Sequence, residues 1–459
     1  MKISLLVPEL REAIATGNTE ELRLFCQSGH PSVIADFISA LTPREAWEVL
    51  RQAPHPLQSE IFSHLERDIQ VDMTEVMKRD DLARLFADMS SDDRVDLFKN
   101  MPKEKQETIL PALAQAERED IRRLASYPEG TAGAVMTSEY ATLTPELTAG
   151  DAIAKLRLEA PDKETIYYAY VIDQKRELLG FISLKDLILA RPEARIRDIM
   201  NKDVAFAWVT DDQEEAARKI QKYDLIALPV VNSQRTLVGI ITHDDAFDIV
   251  TQEHTEDMEK FMAIAGRHEA RAYLRTSAWD HFRNRSLWIL ALALLGFVSG
   301  YIVQSFEGLL LQFAILATFM PMLADTGGNT GSQSATLVVR ALALKEVSGK
   351  DALRVVFKEI QVSLLLGLLL AAVAFSRVLI FSGKSAMPGA ISLWTVALAV
   401  SIALALQVIS STLIGAVLPL AAARLKFDPA VVASPALTTI VDITGLLIFF
   451  TTTKLILRF

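Results

Sequence analysis

The sequence predicts a multidomain α-helical membrane protein: an N-terminal α-superhelical domain, two tandem α+β modules, a long linking helix and five transmembrane helices. Three observations carry this. The 459 residues are 51% hydrophobic with a mean hydropathy of +0.25, too long for one domain and too apolar for a wholly soluble chain. The charge is split, because of 47 basic and 57 acidic residues only 11 and 7 lie from Ser286 onward, leaving a net of −14 before that point and +4 beyond it. A segment of about 60 residues also recurs twice in the middle of the chain, the mark of a tandem module.

Residues 1–130 alternate short helical patterns with loop signals such as Gly29-His30-Pro31, Thr42-Pro43 and Met101-Pro102. Leu82, Leu85, Phe86 and Met89 have the spacing of one helix face, and the expected form is a superhelical stack. Its excess carboxylate repels nucleic acid and attracts cations. Cys26 is the single cysteine, which excludes an intramolecular disulfide framework and fits a reducing cytosol. Met1 to Pro8 has no apolar h-region, so the N-terminal half is expected in the cytoplasm.

The two repeats occupy 131–198 and 199–252. Arg176-Glu-Leu-Leu-Gly-Phe-Ile-Ser-Leu-Lys-Asp-Leu187 is echoed by Arg235-Thr-Leu-Val-Gly-Ile-Ile-Thr-His-Asp-Asp-Ala246, and Val135-Met136 and Ile199-Met200 open the copies. The pair resembles CBS domains, a small regulatory fold that dimerises and often senses adenosine nucleotides or ions. In each copy a hydroxyl stands three residues before a carboxylate where strand gives way to helix: Ser183 and Asp186, Thr242 and Asp245. Such a pair can meet the phosphate and ribose of a nucleotide such as ATP. It can equally be an N-cap with an acid in the first turn, needing no ligand.

Residues 253–285 are highly charged and proline-free. From Thr251 to Arg285 one continuous linking helix is expected, about 50 Å long at 1.5 Å per residue.

The membrane region, 286–459, holds five apolar segments at about 286–305, 309–343, 359–381, 391–423 and 430–457. Basic loops carrying Arg340, Lys345, Lys350, Arg354 and Lys358, then Arg424 and Lys426, face the cytoplasm by the positive-inside rule. This places the N-terminus inside and the C-terminus outside. Within the second segment runs Pro321-Met-Leu-Ala-Asp-Thr-Gly-Gly-Asn-Thr-Gly-Ser-Gln-Ser334, and such polarity is tolerated at membrane depth only in a protein interior or along a water-filled path. Asp325 abuts an expected break at Thr326-Gly-Gly-Asn329, where it can cap a following half-helix. Ser434, Thr438 and Asp442 form one polar file at helical spacing. A carboxylate there costs about 2.5–3.5 kcal/mol against lipid, so Asp442 reads either as a conducting group or as a hydrogen bond to a neighbouring helix.

The order of these parts, the Tyr127-Pro-Glu-Gly-Thr-Ala-Gly133 turn, the Pro321–Ser334 motif and Asp428-Pro-Ala with Ser434-Pro-Ala-Leu-Thr-Thr-Ile-Val-Asp442 resemble the MgtE family of magnesium channels and transporters. The resemblance implies a homodimer in the cell inner membrane, with Asp442 and its dimer mate holding a hydrated Mg²⁺ in the pore. Mg²⁺ dehydrates reluctantly and is usually held through waters by one or two carboxylates, which suits that role. Thr438 and Ser434 would ring the ion, and Gly327, Gly328 and Asn329 would form the cytoplasmic mouth. The resemblance further implies that Asp92 and Asp96, with Asp212, Glu214, Asp224, Asp245 and Asp248 of the CBS pair and Glu253, Glu256 and Asp257 of the linking helix, hold cytosolic Mg²⁺ and close the pore. A carrier for Co²⁺ or another divalent ion on the same architecture is the alternative. No Cys, Met or His cluster lines the spans, which speaks against a soft-metal site, and no H-E-x-x-H motif marks an intramembrane enzyme.

Overall fold

A computed structural model describes residues 3–264, 273, 276–381, 391–429 and 435–459. It divides into two compact units, Met1–Glu253 and His254–Phe459.

The first unit opens with α1 (Ile3–Thr16), α2 (Thr19–Gln27), α3 (Pro31–Ile38), α4 (Pro43–Leu50) and α5 (His55–Ser63). Then follow α6 (Arg67–Val76), α7 (Arg79–Asp88), α8 (Ser91–Asn100), α9 (Lys103–Ile109) and α10 (Gln115–Leu124). From Thr19 to Gln115 a helix begins every 12 residues, a period the sequence reading did not pick out. Each turn of this repeat packs on the next but one, α3 on α5, α4 on α6, α6 on α8 and α8 on α10, which makes the expected superhelix.

The fourth residue of each helix shows why the period holds. At Leu22, Ile34, Ala46 and Leu82 it is apolar and buried in the common core. At Gln70, Arg94 and Gln106 it instead donates to the last carbonyls of the preceding helix, Gln70 Nε2 to Phe62 O at 2.9 Å, Arg94 Nε to Phe86 O at 2.6 Å and Gln106 Nε2 to Phe98 O at 2.8 Å, and at Gln58 it donates to Ala53 O, just past the preceding helix, at 2.7 Å. Carbonyls in the last turn of a helix lack the i+4 amide donor, and these side chains supply one. Pro31 and Pro43 start their helices where no N–H is needed, and Thr42 and Glu45 close a capping box on α4. Cys26 is fully buried, and burial pushes its thiol up to about 12, an inert packing residue.

The middle region forms two three-stranded sheets. The first is β1 (Tyr140–Leu143), β2 (Thr165–Ile172) and β3 (Leu178–Ser183), with α11 (Ala149–Glu159), α12 (Leu184–Leu189) and α13 (Ile196–Ile199). The second is β4 (Ala207–Trp208), β5 (Ala227–Val231) and β6 (Leu237–Thr242), with α14 (Gln213–Tyr223) and α15 (His243–Phe261). In each, a parallel pair is followed by an antiparallel one, so the repeat seen in the sequence is a repeat of topology. The repeated glycine shows that the copies exchange their leading segments. A Cβ on Gly239 would meet Met136 Sδ at 2.5 Å, and one on Gly180 would meet Asn201 O at 2.6 Å. Each opening Val-Met or Ile-Met therefore seats on the other copy. Tyr170 Oη also donates to Ala227 O at 3.1 Å.

The linking helix differs from the expectation. α15 ends at Phe261, Ala263 takes a left-handed φ of 53°, and among the described residues the next helix starts at Ala278 behind the Ser277 cap. A left-handed residue stops an α-helix, so the stretch 251–285 is not one rod.

The second unit contains α16 (Ala278–Ser305), the short α17 (Glu307–Gln312), α18 (Met320–Ala343), α19 (Ala352–Phe381), α20 (Leu393–Arg424) and α21 (Pro435–Leu457). Among the described residues α16, α19, α20 and α21 are long and apolar enough to cross a membrane. α18 has the length, 24 residues, or about 36 Å, but its Asp, Asn, Ser and Thr lower its hydropathy. The expected second span, 309–343, thus resolves into α17, a 3₁₀ turn at Ala314–Phe319 and the polar α18.

Candidate functional site

α18 runs unbroken through the glycine motif, so Asp325 caps no half-helix. Its exposed carboxylate instead accepts from Asn329 Nδ2 at 3.0 Å, one turn on. The glycines are there for contact. Gly327 and Gly331, four apart, face α20, where a Cβ would meet Gln407 Nε2 at 2.3 Å and Ser411 O at 3.2 Å respectively. Small residues at this spacing let two helix backbones approach closely. A Cβ on Gly328 would lie 3.4 Å from Thr438 of α21. The motif therefore wedges α18 between α20 and α21, carrying Asn329 to the exposed face.

Asp442 is half-buried in the middle of α21, and its Oδ1 is out of solvent with no hydrogen-bond partner among the described residues. It lines a recess of about 260 Å³ shared with α16, α18 and Gln407. Thr438 lies one turn away on the same helix, while Ser434, the third member of the expected polar file, lies outside the described residues. The reading of Asp442 as a simple hydrogen bond to a neighbouring helix is not supported for Oδ1. Gln407, which sequence reasoning missed, is a buried amide on an apolar helix. Its signal was only that a single amide side chain stands near the middle of the apolar stretch Leu393–Arg424.

In the first unit the acidic residues separate into those the fold gathers and those it does not. Ser91 of α8 bonds Thr137 at 3.0 Å and receives the Ser138 N–H at 2.8 Å, pinning the first turn of α8 to the entry of the first CBS copy. Asp92, next in sequence, is thereby brought beside Asp93 and Asp245. Burial first, then the charges of Asp245 and Asp93, hold its carboxyl well above the usual range. Burial likewise lifts Asp245 to about 7, with Asp244, Glu164 and Asp93 adding repulsion and its hydrogen bond from Thr242 opposing. Glu164 is raised to about 8 by burial and then by Asp92 and Glu139; it keeps solvent access, which tempers the effect. Asp248 is also raised, by burial and then Asp244. Asp96 instead pairs with Arg67 at 2.6 Å.

The remaining expected residues lie elsewhere. Asp212 is the N-cap of α14 and accepts from Glu214 N at 2.8 Å, Glu214 pairs with Arg218, and Asp224 is the left-handed C-cap of the same helix. Glu253 accepts from Gln213 at 2.6 Å. In the second unit Glu256 pairs with Lys260 at 2.5 Å, and Lys260 reaches Asp428 at 3.4 Å. Asp257 is an exposed-side member of α15 with its own interaction. Among the described residues no three acidic, histidine or cysteine side chains converge as a preformed metal site. The fold thus joins Asp92 to Asp245 but leaves Asp212, Glu214 and Asp224 on a separate helix. Glu164 was missed because nothing in its own stretch, Glu159-Ala-Pro-Asp-Lys-Glu164, points to Asp92 or Asp245; only the pairing of β1 with β2 brings it near.

In both CBS copies the hydroxyl bonds the carboxylate three residues on, and in the first copy it also caps the helix. Ser183 Oγ donates to Asp186 Oδ2 at 2.6 Å and accepts from Asp186 N at 3.0 Å, and Thr242 donates to Asp245.

With this arrangement in place, comparison with known proteins is informative. Residues 320–452 match a family described as a divalent cation transporter, 29–130 match the MgtE intracellular N domain, and 132–193 and 196–251 match CBS domains. A magnesium transporter of Thermus thermophilus is 36% identical over 456 residues, 99% of each chain. The chain belongs to the MgtE family. A Bacillus subtilis magnesium transporter of that family is 35% identical over 91% of this chain and 87% of its own length. The soluble part of a magnesium transporter aligns with a TM-score of 0.51 at 31% identity, covering 55% of this chain and 99% of its own. The cytosolic domain of the Mg²⁺ channel MgtE in complex with ATP aligns with a TM-score of 0.50 at 35% identity, covering 53% and 100%. As in MgtE proteins generally, then, this is a membrane protein with a helical N domain, a CBS pair and a helical membrane region.

Proposed function

We propose that this chain is a Mg²⁺ transporter or channel of the cell inner membrane, working as a homodimer, and that Asp442 is its cation site. The observation that carries this is the Asp442 carboxylate itself: on a helix long and apolar enough to cross a membrane, half-buried, with one oxygen unpartnered, it is costly unless a cation or water meets it. A pair of such groups on a two-fold axis suits an ion that keeps its hydration shell. The exposed polar face of α18, Asp325 and Asn329 with Thr336 beyond, is unsuited to lipid and suits an interface with a second copy. The N-terminus lies in the cytoplasm and the C-terminus outside, following the basic loops.

Regulation is the second part of this reading. Cytosolic Mg²⁺ entering between Asp92, Asp245 and their neighbours relieves like-charge repulsion and favours the compact arrangement of the N domain on the CBS pair. The ion acts only through its tighter binding to that arrangement. Asp96, Asp248, Glu253, Glu256 and Asp257 extend the acidic surface, and α15 carries the change toward the membrane unit. ATP at the CBS pair is supported by the ATP complex of the related cytosolic domain; Asp186 Oδ1 would accept from the ribose hydroxyls, its Oδ2 being held by Ser183.

The test is Mg²⁺ flux into proteoliposomes for the wild type and Asp442→Ala, with Co²⁺ and Ca²⁺ as competitors. Loss of flux in a folded, dimeric variant is expected. Undiminished flux would make Asp442 structural, and preferential transport of Co²⁺ would replace the cation.

A further inference from the structure

Gln407 is a polar residue of the membrane unit that this reading leaves unused. It is 1% exposed, on the most buried of the candidate spans. Its Nε2 donates to the carbonyl of Leu323 at 2.6 Å, which fixes the orientation of the amide. The same amide lies against two glycines: a Cβ on Gly327 would meet Nε2 at 2.3 Å, and one on Gly445 would meet it at 2.8 Å. Three helices therefore converge on this side chain, and two give up their own side chains to make room for it.

The donor half of the amide is accounted for and the acceptor half is not. Gln407 Oε1 is buried with no partner among the described residues, as is Asp442 Oδ1. A buried acceptor left unmade is costly, and an unpartnered group in a native structure calls for a cause such as a missing water or ion. Both residues line the same recess of about 260 Å³, which has room for several waters, each needing about 30 Å³. Gly445 stands one turn beyond Asp442 on α21, so the amide and the carboxylate meet the same face of that helix. Ser401 and Ser411 of α20 also carry unpartnered hydroxyls, but neither lines the recess.

We infer that Gln407 is a second acceptor of the cation path: its Oε1 takes a hydrogen bond from a water of the hydrated divalent cation held at Asp442. A neutral amide oxygen fits a water ligand, because it orients the shell without adding charge that would hold the ion too long. This rests on Asp442 being the cation site.

The experiment measures Mg²⁺ uptake by proteoliposomes of the full chain for the wild type, Gln407→Met, Gln407→Glu and Asp442→Ala. Thermal stability is followed in parallel. Met keeps the bulk and has no acceptor oxygen, whereas Glu keeps the acceptor and gives up the donor to Leu323 O. The expected result is a KM for Mg²⁺ raised about tenfold in Gln407→Met, the scale of one lost hydrogen bond in a charged site. In Gln407→Glu the KM stays at or below the wild-type value, even where stability falls. Unchanged KM in Gln407→Met, or a KM raised equally in both variants, overturns the inference and makes the amide a helix clamp. Should Gln407→Met not fold, Gln407→Glu decides alone, since a raised KM there overturns it. Inactive Asp442→Ala beside Gln407 variants of wild-type KM rejects only the role of Gln407; active Asp442→Ala rejects the cation site itself.

Discussion

Gly415 of α20 backs onto the peptide of Gly331 of α18 so closely that a Cβ on it would stand 2.2 Å from the Gly331 carbonyl oxygen and 2.9 Å from its carbon. No side chain can yield there, since the obstacle is backbone. Gly415→Ala is therefore expected to force α18 and α20 apart, at about 1–3 kcal/mol of stability, with reduced Mg²⁺ flux. Gly296→Ala on α16, where a Cβ meets nothing within 4 Å, is the control. Thermal unfolding of the purified protein in detergent checks this; equal melting temperatures for the two variants would contradict the close approach.

The acidic cluster makes a prediction about pH. Asp245 titrates near 7 in the folded protein, with burial the main cause, against about 3.9 for an unperturbed Asp. The folded state therefore binds a proton that the unfolded state has already released. Stability contributed by this proton is present at low pH and lost as pH rises toward 7; Asp92 and Glu164 shift the same way. Without divalent ions, residues 1–253 should melt at a higher temperature at pH 6 than at pH 8. Asp245→Asn should flatten the difference, and millimolar Mg²⁺ should remove most of it. A steeper dependence in Asp245→Asn would refute the assignment.

Arg94 holds the superhelix where it meets the first CBS copy. Its buried guanidinium donates to Phe86 O at 2.6 Å and Met89 O at 2.5 Å, with Glu139 at 3.7 Å. Arg94→Met would take this donor from the carbonyls of Phe86 and Met89, each buried acceptor left unmade costing about 1–3 kcal/mol. We expect a loss of at least about 2 kcal/mol in denaturant unfolding of residues 1–253. A change within a few tenths would mean that water replaces the guanidinium.

The features legible in the residues alone are those that depend on local pattern. The tandem repeat around Gly180 and Gly239 was legible because each copy carries its own strand, turn and cap signals within about 60 residues. The apolar spans were legible because lipid demands some 20 apolar residues in a row. Asp442 stood out for the same reason in reverse, as a charge where lipid tolerates none.

Which distant groups face each other emerges from packing alone. The glycines of 327–331 read locally as a break, since glycine is a poor helix former. Packing against Gln407, Ser411 and Thr438 overrode that propensity and kept α18 whole. The linking segment read as one helix because no proline interrupts it, yet Ala263 turns left-handed. Glu164 joined the acidic cluster through strand pairing and Gln407 joined Asp442 through helix packing, and neither relation leaves a trace in spacing along the chain. Local propensity is encoded every few residues, whereas a site is made by side chains that meet only when separate elements bury their apolar faces together.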